Sequence, residues 1–186
     1  MGVHQPLTEA NRERIGRILA ELGLPPAHPR LARLVAFNEA PGLAPLRCRF
    51  SGEEHRLTPG AAAAWSRLAD SAAAAGVSLG LVSGFRSYDY QHSLVRRKLE
   101  AGLTLEEILQ SVAPPGYSEH HTGEAADVGS TGCADLTASF AECPAFAWLA
   151  AHAERFGWTM SYPAGNRFGY VYEPWHWKWH PDPNPP

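Results

Sequence analysis

His120, Asp127 and His176 are the residues of this chain best suited to chemistry. The first two lie in Ser118-Glu119-His120-His121-Thr122-Gly123-Glu124-Ala125-Ala126-Asp127, and the third lies far downstream in Glu173-Pro174-Trp175-His176. Two imidazoles and a carboxylate suit a divalent ion such as Zn²⁺, and three protein ligands leave one coordination position for water. An open position of that kind separates a catalytic zinc from a structural one. Neutral histidines and an ionised aspartate leave the site a net positive charge, which lowers the pKa of the water toward ~7. Glu173, on the same short segment as His176, is a spare carboxylate able to take the water's proton. The set therefore reads as metal-assisted hydrolysis. His4, His28, His55 and His152, among the 9 histidines, read as ordinary polar residues.

The elements that must position these groups follow from periodicity and punctuation. Thr8 to Leu22 places Ile15, Ile18, Leu19 and Leu22 on one helical face, with Gly23 and Pro25 as the stop. A short helix is expected over Arg30–Phe37. Leu46–Phe50 alternates as a strand and turns through Ser51-Gly52-Glu53-Glu54 into His55-Arg56-Leu57. Thr58-Pro59 opens an alanine-rich helix that ends at Gly76. Val77–Ser83 reads as a buried strand, and Ser87 caps a helix to Ala101. Thr104-Leu105-Glu106-Glu107 is a capping box. Ala125–Gly129 is a short strand carrying Asp127, and Pro144–Phe156 is a helix with Phe146, Leu149 and Ala153 inward. From Gly157 the alternation of aromatic and polar residues predicts two antiparallel strands around Pro163-Ala164-Gly165-Asn166, and 181–186 is an extended tail. The layout is α+β, helices packed on a small, mostly antiparallel sheet, with the metal site at the sheet cleft. It forms one domain over 1–186, in which 1–50 is a helical extension packed on a 55–179 core.

Bulk properties narrow the function. The 186 residues are 45% hydrophobic and 19% charged, as expected of a globular domain with a real core. A net charge of -3 supplies no field for nucleic acid. No apolar run approaches the ~20 residues of a membrane span. The N-terminus has no basic, then apolar, leader pattern, so a cytoplasmic location is expected. Cys48, Cys133 and Cys143 include no C-x-x-C, and reduced thiols are the expectation; a Cys133–Cys143 bridge belongs to the alternative, a periplasmic protein.

The order Ser-x-His-x-x-Gly-x-Ala-x-Asp, then Glu-x-x-His, resembles the VanY-type D-alanyl-D-alanine carboxypeptidases and, with them, VanX-type dipeptidases, L,D-carboxypeptidases and phage endolysin peptidases. The matching residues are Ser118, His120, Gly123, Ala125, Asp127, Glu173 and His176. Ser83-Gly84-Phe85-Arg86-Ser87 with Gln91 resembles the family's upstream Arg-Ser-x-x-x-Gln element, and Ser161-Tyr162-Pro163 to His176 resembles its closing hairpin. The likeness runs over roughly 55–179; residues 1–50 carry none of it. It implies His120, Asp127 and His176 as zinc ligands, Glu173 as catalytic base and Arg86 facing the scissile carbonyl or the substrate's anionic end. Ser118 and Gln91 become substrate hydrogen-bonders, and Trp175, with neighbouring aromatics, a wall of the pocket. His121 is left to a supporting or rim role, and His180 is the alternative third ligand. The implied activity is zinc-dependent removal of the last residue from peptidoglycan peptides of the D-Ala-D-Ala type. L,D-cleavage of a tetrapeptide, endopeptidase action on stem peptides, and a metal-stabilised binding domain of the hedgehog type are the alternatives.

Overall fold

The computed structural model describes residues 6–48, 51–133 and 136–181. Its elements in chain order are α1 (Glu9–Glu21), a 3-10 turn (Leu31–Arg33), β1 (Ala44–Arg47), β2 (Glu54–Leu57), α2 (Pro59–Ala74), β3 (Gly80–Ser83), α3 (Tyr88–Glu100) and α4 (Leu105–Ile108). A 3-10 turn (Glu119–Thr122), β4 (Ala125–Gly129), a further 3-10 turn (Ala138–Glu142) and α5 (Pro144–His152) follow. The chain closes with a 3-10 turn (Ala153–Phe156), β5 (Trp158–Met160) and β6 (His176–Trp179). The helix starts have local causes: Thr8, Thr58, Ser87 and Thr104 each accept a backbone N–H of the first turn, satisfying donors a helix leaves free.

Two sheets form. β1 pairs antiparallel with β2, and four strands run in the order β3-β4-β6-β5, every neighbouring pair antiparallel. This is the expected α+β arrangement. One apolar core lies between α2, α5 and the inner face of the larger sheet, with Trp65, Leu68, Leu81, Val128, Leu149 and Trp158 fully or nearly buried. A second core joins α1 to α3 and α4 through Ile15, Leu19, Tyr88, Val95 and Ile108.

Several sequence expectations are corrected. Arg30–Phe37 is a single 3-10 turn; Leu34 is already extended, and Phe37 gives its N–H to Gly116 O at 2.8 Å. That bond requires an extended run rather than a helix. The strand expected at Leu46 begins at Ala44, and its far end, 49–50, lies outside the described residues, as do 182–186 of the tail. The strand expected from Val77 begins at Gly80 because 77–79 still belong to the exit from α2, where Val77 N–H returns to Ala72 O. Helix α5 tightens into the 3-10 turn after His152.

The closing hairpin is not tight. β5 and β6 pair directly, Trp158 opposite Trp179, but a loop from Ser161 to Trp175 joins them. Val171 N–H goes to Gln110 O and Tyr170 N–H to the Asn166 side chain, so the alternating aromatics there belong to a loop. The cysteines are also corrected: Cys133 and Cys143 form a disulfide, while Cys48 is free and buried.

Candidate metal and catalytic site

Strand register builds the site. Asp127 is the third residue of β4, and its partners are Ser83 on one side and His176 on the other. Side chains alternate across a strand, so Ala126 and Val128 enter the core while Asp127 points to the opposite face. On β6 the same alternation sends Trp177 into the core and His176 toward Asp127. His120 comes from the 3-10 turn just before β4, which Gly123 ends at φ 64. A Cβ on Gly123 would also meet Leu43 Cδ2 at 2.9 Å, so the close approach and the left-handed backbone both require glycine.

The three candidate ligands offer atoms that all lie within 4.8 Å of one another. His120 donates Nδ1–H to Gly84 O at 2.6 Å, which leaves Nε2 without a proton and 3.3 Å from Asp127 Oδ1. Gly84 is fixed in turn: a Cβ there would lie 2.5 Å from Arg56 O. His176 Nδ1 lies 3.0 Å from Asp127 Oδ1. All three residues are at most 3% exposed. His180, the alternative ligand, instead places Nε2 3.1 Å from Thr159 Oγ1.

A carboxylate with no place in the sequence motif completes the array. Glu119 Oε2 lies 2.9 Å from His176 Nε2 and accepts the Ser161 hydroxyl at 2.6 Å. Burial disfavours charge on His176, but hydrogen bonds to Asp127 and Glu119 outweigh it and raise its pKa to about 9. Burial likewise opposes the Asp127 and Glu119 carboxylates; their histidine partners reverse this and hold both low. His120 lacks that second partner, and burial, aided by Arg86, takes it down to about 4.

Glu173 precedes β6 in the loop, its N–H bonded to Tyr162 O at 3.1 Å. Only 7% of it is exposed, and burial, with Asp127 and Glu119 nearby, pushes its pKa up to about 7. Arg86 follows β3, donates Nε–H to Ser83 Oγ at 2.8 Å and pairs through Nη2 with Asp127. His121 braces this segment: Nδ1–H reaches Arg86 O at 2.6 Å and Nε2 accepts Gly116 N–H at 3.0 Å. Arg86, Glu173, Ser118, Gln91 and Trp175 all line one cleft with the three candidate ligands. Gln91, the other proposed hydrogen-bonder from the resemblance, is held inside the cleft wall. It is 1% exposed, its Nε2 donates to Ala113 O at 2.8 Å, and its Oε1 has no partner among the described residues. Ser118 is also buried, its Oγ accepting His120 N–H at 3.4 Å.

The array can bind one divalent ion, hold a carboxyl poised near neutrality and present a guanidinium beside both. A family model described as VanY, D-alanyl-D-alanine carboxypeptidase, matches residues 54–182. Among curated proteins, a D-alanyl-D-alanine carboxypeptidase of Enterococcus faecium is 33% identical over 115 residues, 60% of this chain and 33% of that protein. The chain thus spans about a third of that relative's length. Among solved structures, the LdcB LD-carboxypeptidase superposes with TM-score 0.60 at 31% identity, covering 80% of this chain and 68% of that one. A mutant of the vancomycin resistance D,D-pentapeptidase VanY in complex with Zn(II) gives TM-score 0.58 at 26% identity, covering 79% of this chain and 87% of that one.

Proposed function

Because the chain belongs to the VanY family of D-alanyl-D-alanine carboxypeptidases, we propose that it is a zinc-dependent carboxypeptidase that removes the terminal residue of peptidoglycan-derived peptides ending in D-Ala-D-Ala. The observation that carries the proposal is Glu173, a buried carboxyl with a pKa of about 7 in the same cleft as the His120–Asp127–His176 cluster. A binding module has no need of that carboxyl. Two imidazole nitrogens and one carboxylate oxygen fit zinc, and His120 already has its free Nε2 turned toward the cluster. When bound, the ion supplies Lewis-acid polarisation and an activated water at neutral pH.

The remaining chemistry belongs to the chain. Glu173 takes the proton of the attacking water and delivers it to the departing amine, a role for which a pKa near the working pH is best. Arg86 faces negative charge developing on the carbonyl oxygen; fixed donors at such a position contribute several kcal/mol. Gln91 gives one amide N–H to Ala113 O, and its Oε1, without a partner among the described residues, is left to accept a peptide N–H. The Ser118 hydroxyl, which donates to no group among the described residues, meets the terminal carboxylate, and Trp175 walls the cleft. Glu119 holds the His176 ring, accepting its Nε2–H, and Nδ1, on the Asp127 side, is the nitrogen that would be offered to an ion.

The likeness to LdcB supports a second reading, L,D-cleavage of a tetrapeptide. The Cys133–Cys143 bridge favours an oxidising compartment over the cytoplasm. Incubation of zinc-loaded protein with a muramyl pentapeptide and a tetrapeptide, with the released amino acid weighed by mass spectrometry, separates the readings. Free D-alanine from the pentapeptide, abolished by a chelator, is expected; release from the tetrapeptide alone selects the second reading, and release from neither rejects both.

A further inference from the structure

The cleft is larger than a dipeptide needs. It encloses about 980 Å³, at the upper end of the range for small-molecule sites. One wall is a single face of α3, where Ser87, Gln91, Leu94 and Lys98 succeed one another at helical spacing. From Gln91 to Lys98 the helix rises ~10 Å, the length of about three residues of extended peptide. The rim is apolar. The exposed large hydrophobic side chains among the described residues are Val35, Tyr90, Leu103, Leu136 and Val171, and Tyr90, Leu136 and Val171 all border this cleft. Exposed apolar surface gathered in one place marks a binding surface.

Charge completes the picture. Of the cations lining the cleft, Arg86 is paired with Asp127. Lys98, half-buried on the wall, meets no carboxylate among the described residues, and its neighbour Arg96 pairs with Glu100 on the same helix. The Lys98 end of this trough thus carries an ammonium with no carboxylate partner among the described residues. Peptidoglycan stem peptides carry carboxylates at about that remove from their last bond: a γ-linked glutamate leaves its α-carboxylate free, and a diaminopimelate amide-linked to that γ-carboxyl adds another.

We propose that Lys98 receives a carboxylate of the substrate about three residues from the group held at Gln91, so that the cleft selects acidic stem peptides over stems that lack that carboxylate. This rests on the peptidoglycan-peptide reading of the site. The test uses zinc-loaded full-length protein and three muramyl pentapeptides: one with free glutamate and diaminopimelate carboxylates, one amidated at the glutamate, and one with lysine in place of diaminopimelate. The wild type is expected to favour the fully acidic peptide in kcat/KM by about five- to tenfold, mostly through KM, over whichever variant lacks the carboxylate that Lys98 reads. Lys98→Gln brings that ratio to about one, and Lys98→Glu inverts it. Cleavage of all three peptides at equal rates by the wild type, or a ratio untouched by Lys98→Gln, overturns the assignment while leaving the carboxypeptidase reading intact. Cleavage of none overturns both.

Discussion

At the scale of single residues, the site is a set of acids and bases whose environments push their pKa values apart. Glu173 is the clearest case. Its carboxyl sits at about 7 in the folded, metal-free protein and near the ordinary 4.5 once unfolded, because burial penalises the anion. The folded state therefore holds a proton that the unfolded state has released, and stability falls as pH rises from about 4.5 to 7. Glu173→Gln is expected to stabilise the metal-free protein at pH 8 by on the order of 2–3 kcal/mol, measured by urea unfolding, with no gain at about pH 4. In the metal-loaded enzyme a nearby dication favours the carboxylate, so the acid limb of kcat/KM falls at or below about pH 7. Glu119 makes a different prediction. Glu119→Gln keeps an acceptor for His176 and Ser161 but deletes the charge, and zinc affinity, measured by competition with a chromophoric chelator, should weaken about 10- to 100-fold.

Residues of this kind are unequally legible in the sequence. His120, Asp127, His176 and Glu173 announce themselves by type and spacing. Glu119 does not, because its partner lies 57 positions away and the motif treats its place as filler. Gln91 is reached only through the family resemblance, because nothing in its own helix reveals that Ala113, from a distant loop, covers it.

At the scale of elements, the cluster of candidate ligands is a consequence of register. Asp127 opposite His176 on β4 and β6, with Ser83 on the third strand, brings the ligands together, and a slip of one residue would turn them into the core. Strand β4, α2, α3 and the capping box are legible because caps, prolines and glycines punctuate them. The loop 161–175 is not. Its alternating Tyr170 and Tyr172 imitate a strand, but its hydrogen bonds go to Gln110, Asn166 and Tyr162. The disulfide is a second element-scale feature. Cys133 and Cys143 close the segment whose Leu136, Thr137 and Ala138 line the cleft. Replacing both cysteines by alanine should cost about 3 kcal/mol in denaturant unfolding through restored loop entropy, and reductant should lower the wild type to the same midpoint. A midpoint insensitive to reductant would show that the bridge does not constrain the chain.

At the scale of the whole molecule, the described residues form two apolar cores. The inner face of the four-stranded sheet packs on α2 and α5, while α1 packs against α3 and α4. The N-terminal segment is tied to the site region by Phe37 N–H to Gly116 O, by the Tyr88 hydroxyl to Phe37 O at 2.6 Å, and by Arg30 to Phe168 O at 2.6 Å. Residues 1–50 carry no family motif, yet α1 contributes Ile15, Ile18 and Leu19 to the second core. Its amphipathic face is readable from spacing, but the surface it covers, on α3 and α4, is not, because periodicity names a buried face and never its partner. No helix among the described residues is long and apolar enough to cross a membrane. Ligand linkage would act at this scale too, since an ion held by the candidate ligands from β4, β6 and the turn before β4 would bind only the folded chain. Zinc at roughly a thousandfold excess over its dissociation constant should stabilise the fold by about 4 kcal/mol, and His176→Ala should remove most of that gain in a thermal melt.

The central claim is that one ion and one nearby carboxyl do separate jobs. It is tested most directly by comparing bound zinc and D-alanine release from a muramyl pentapeptide in the wild type and in Glu173→Gln. The expected result is one zinc per chain in both proteins, with turnover in the variant reduced by about 100-fold or more. Undiminished release by a variant that retains its zinc, or release by a wild type that binds none, would contradict it.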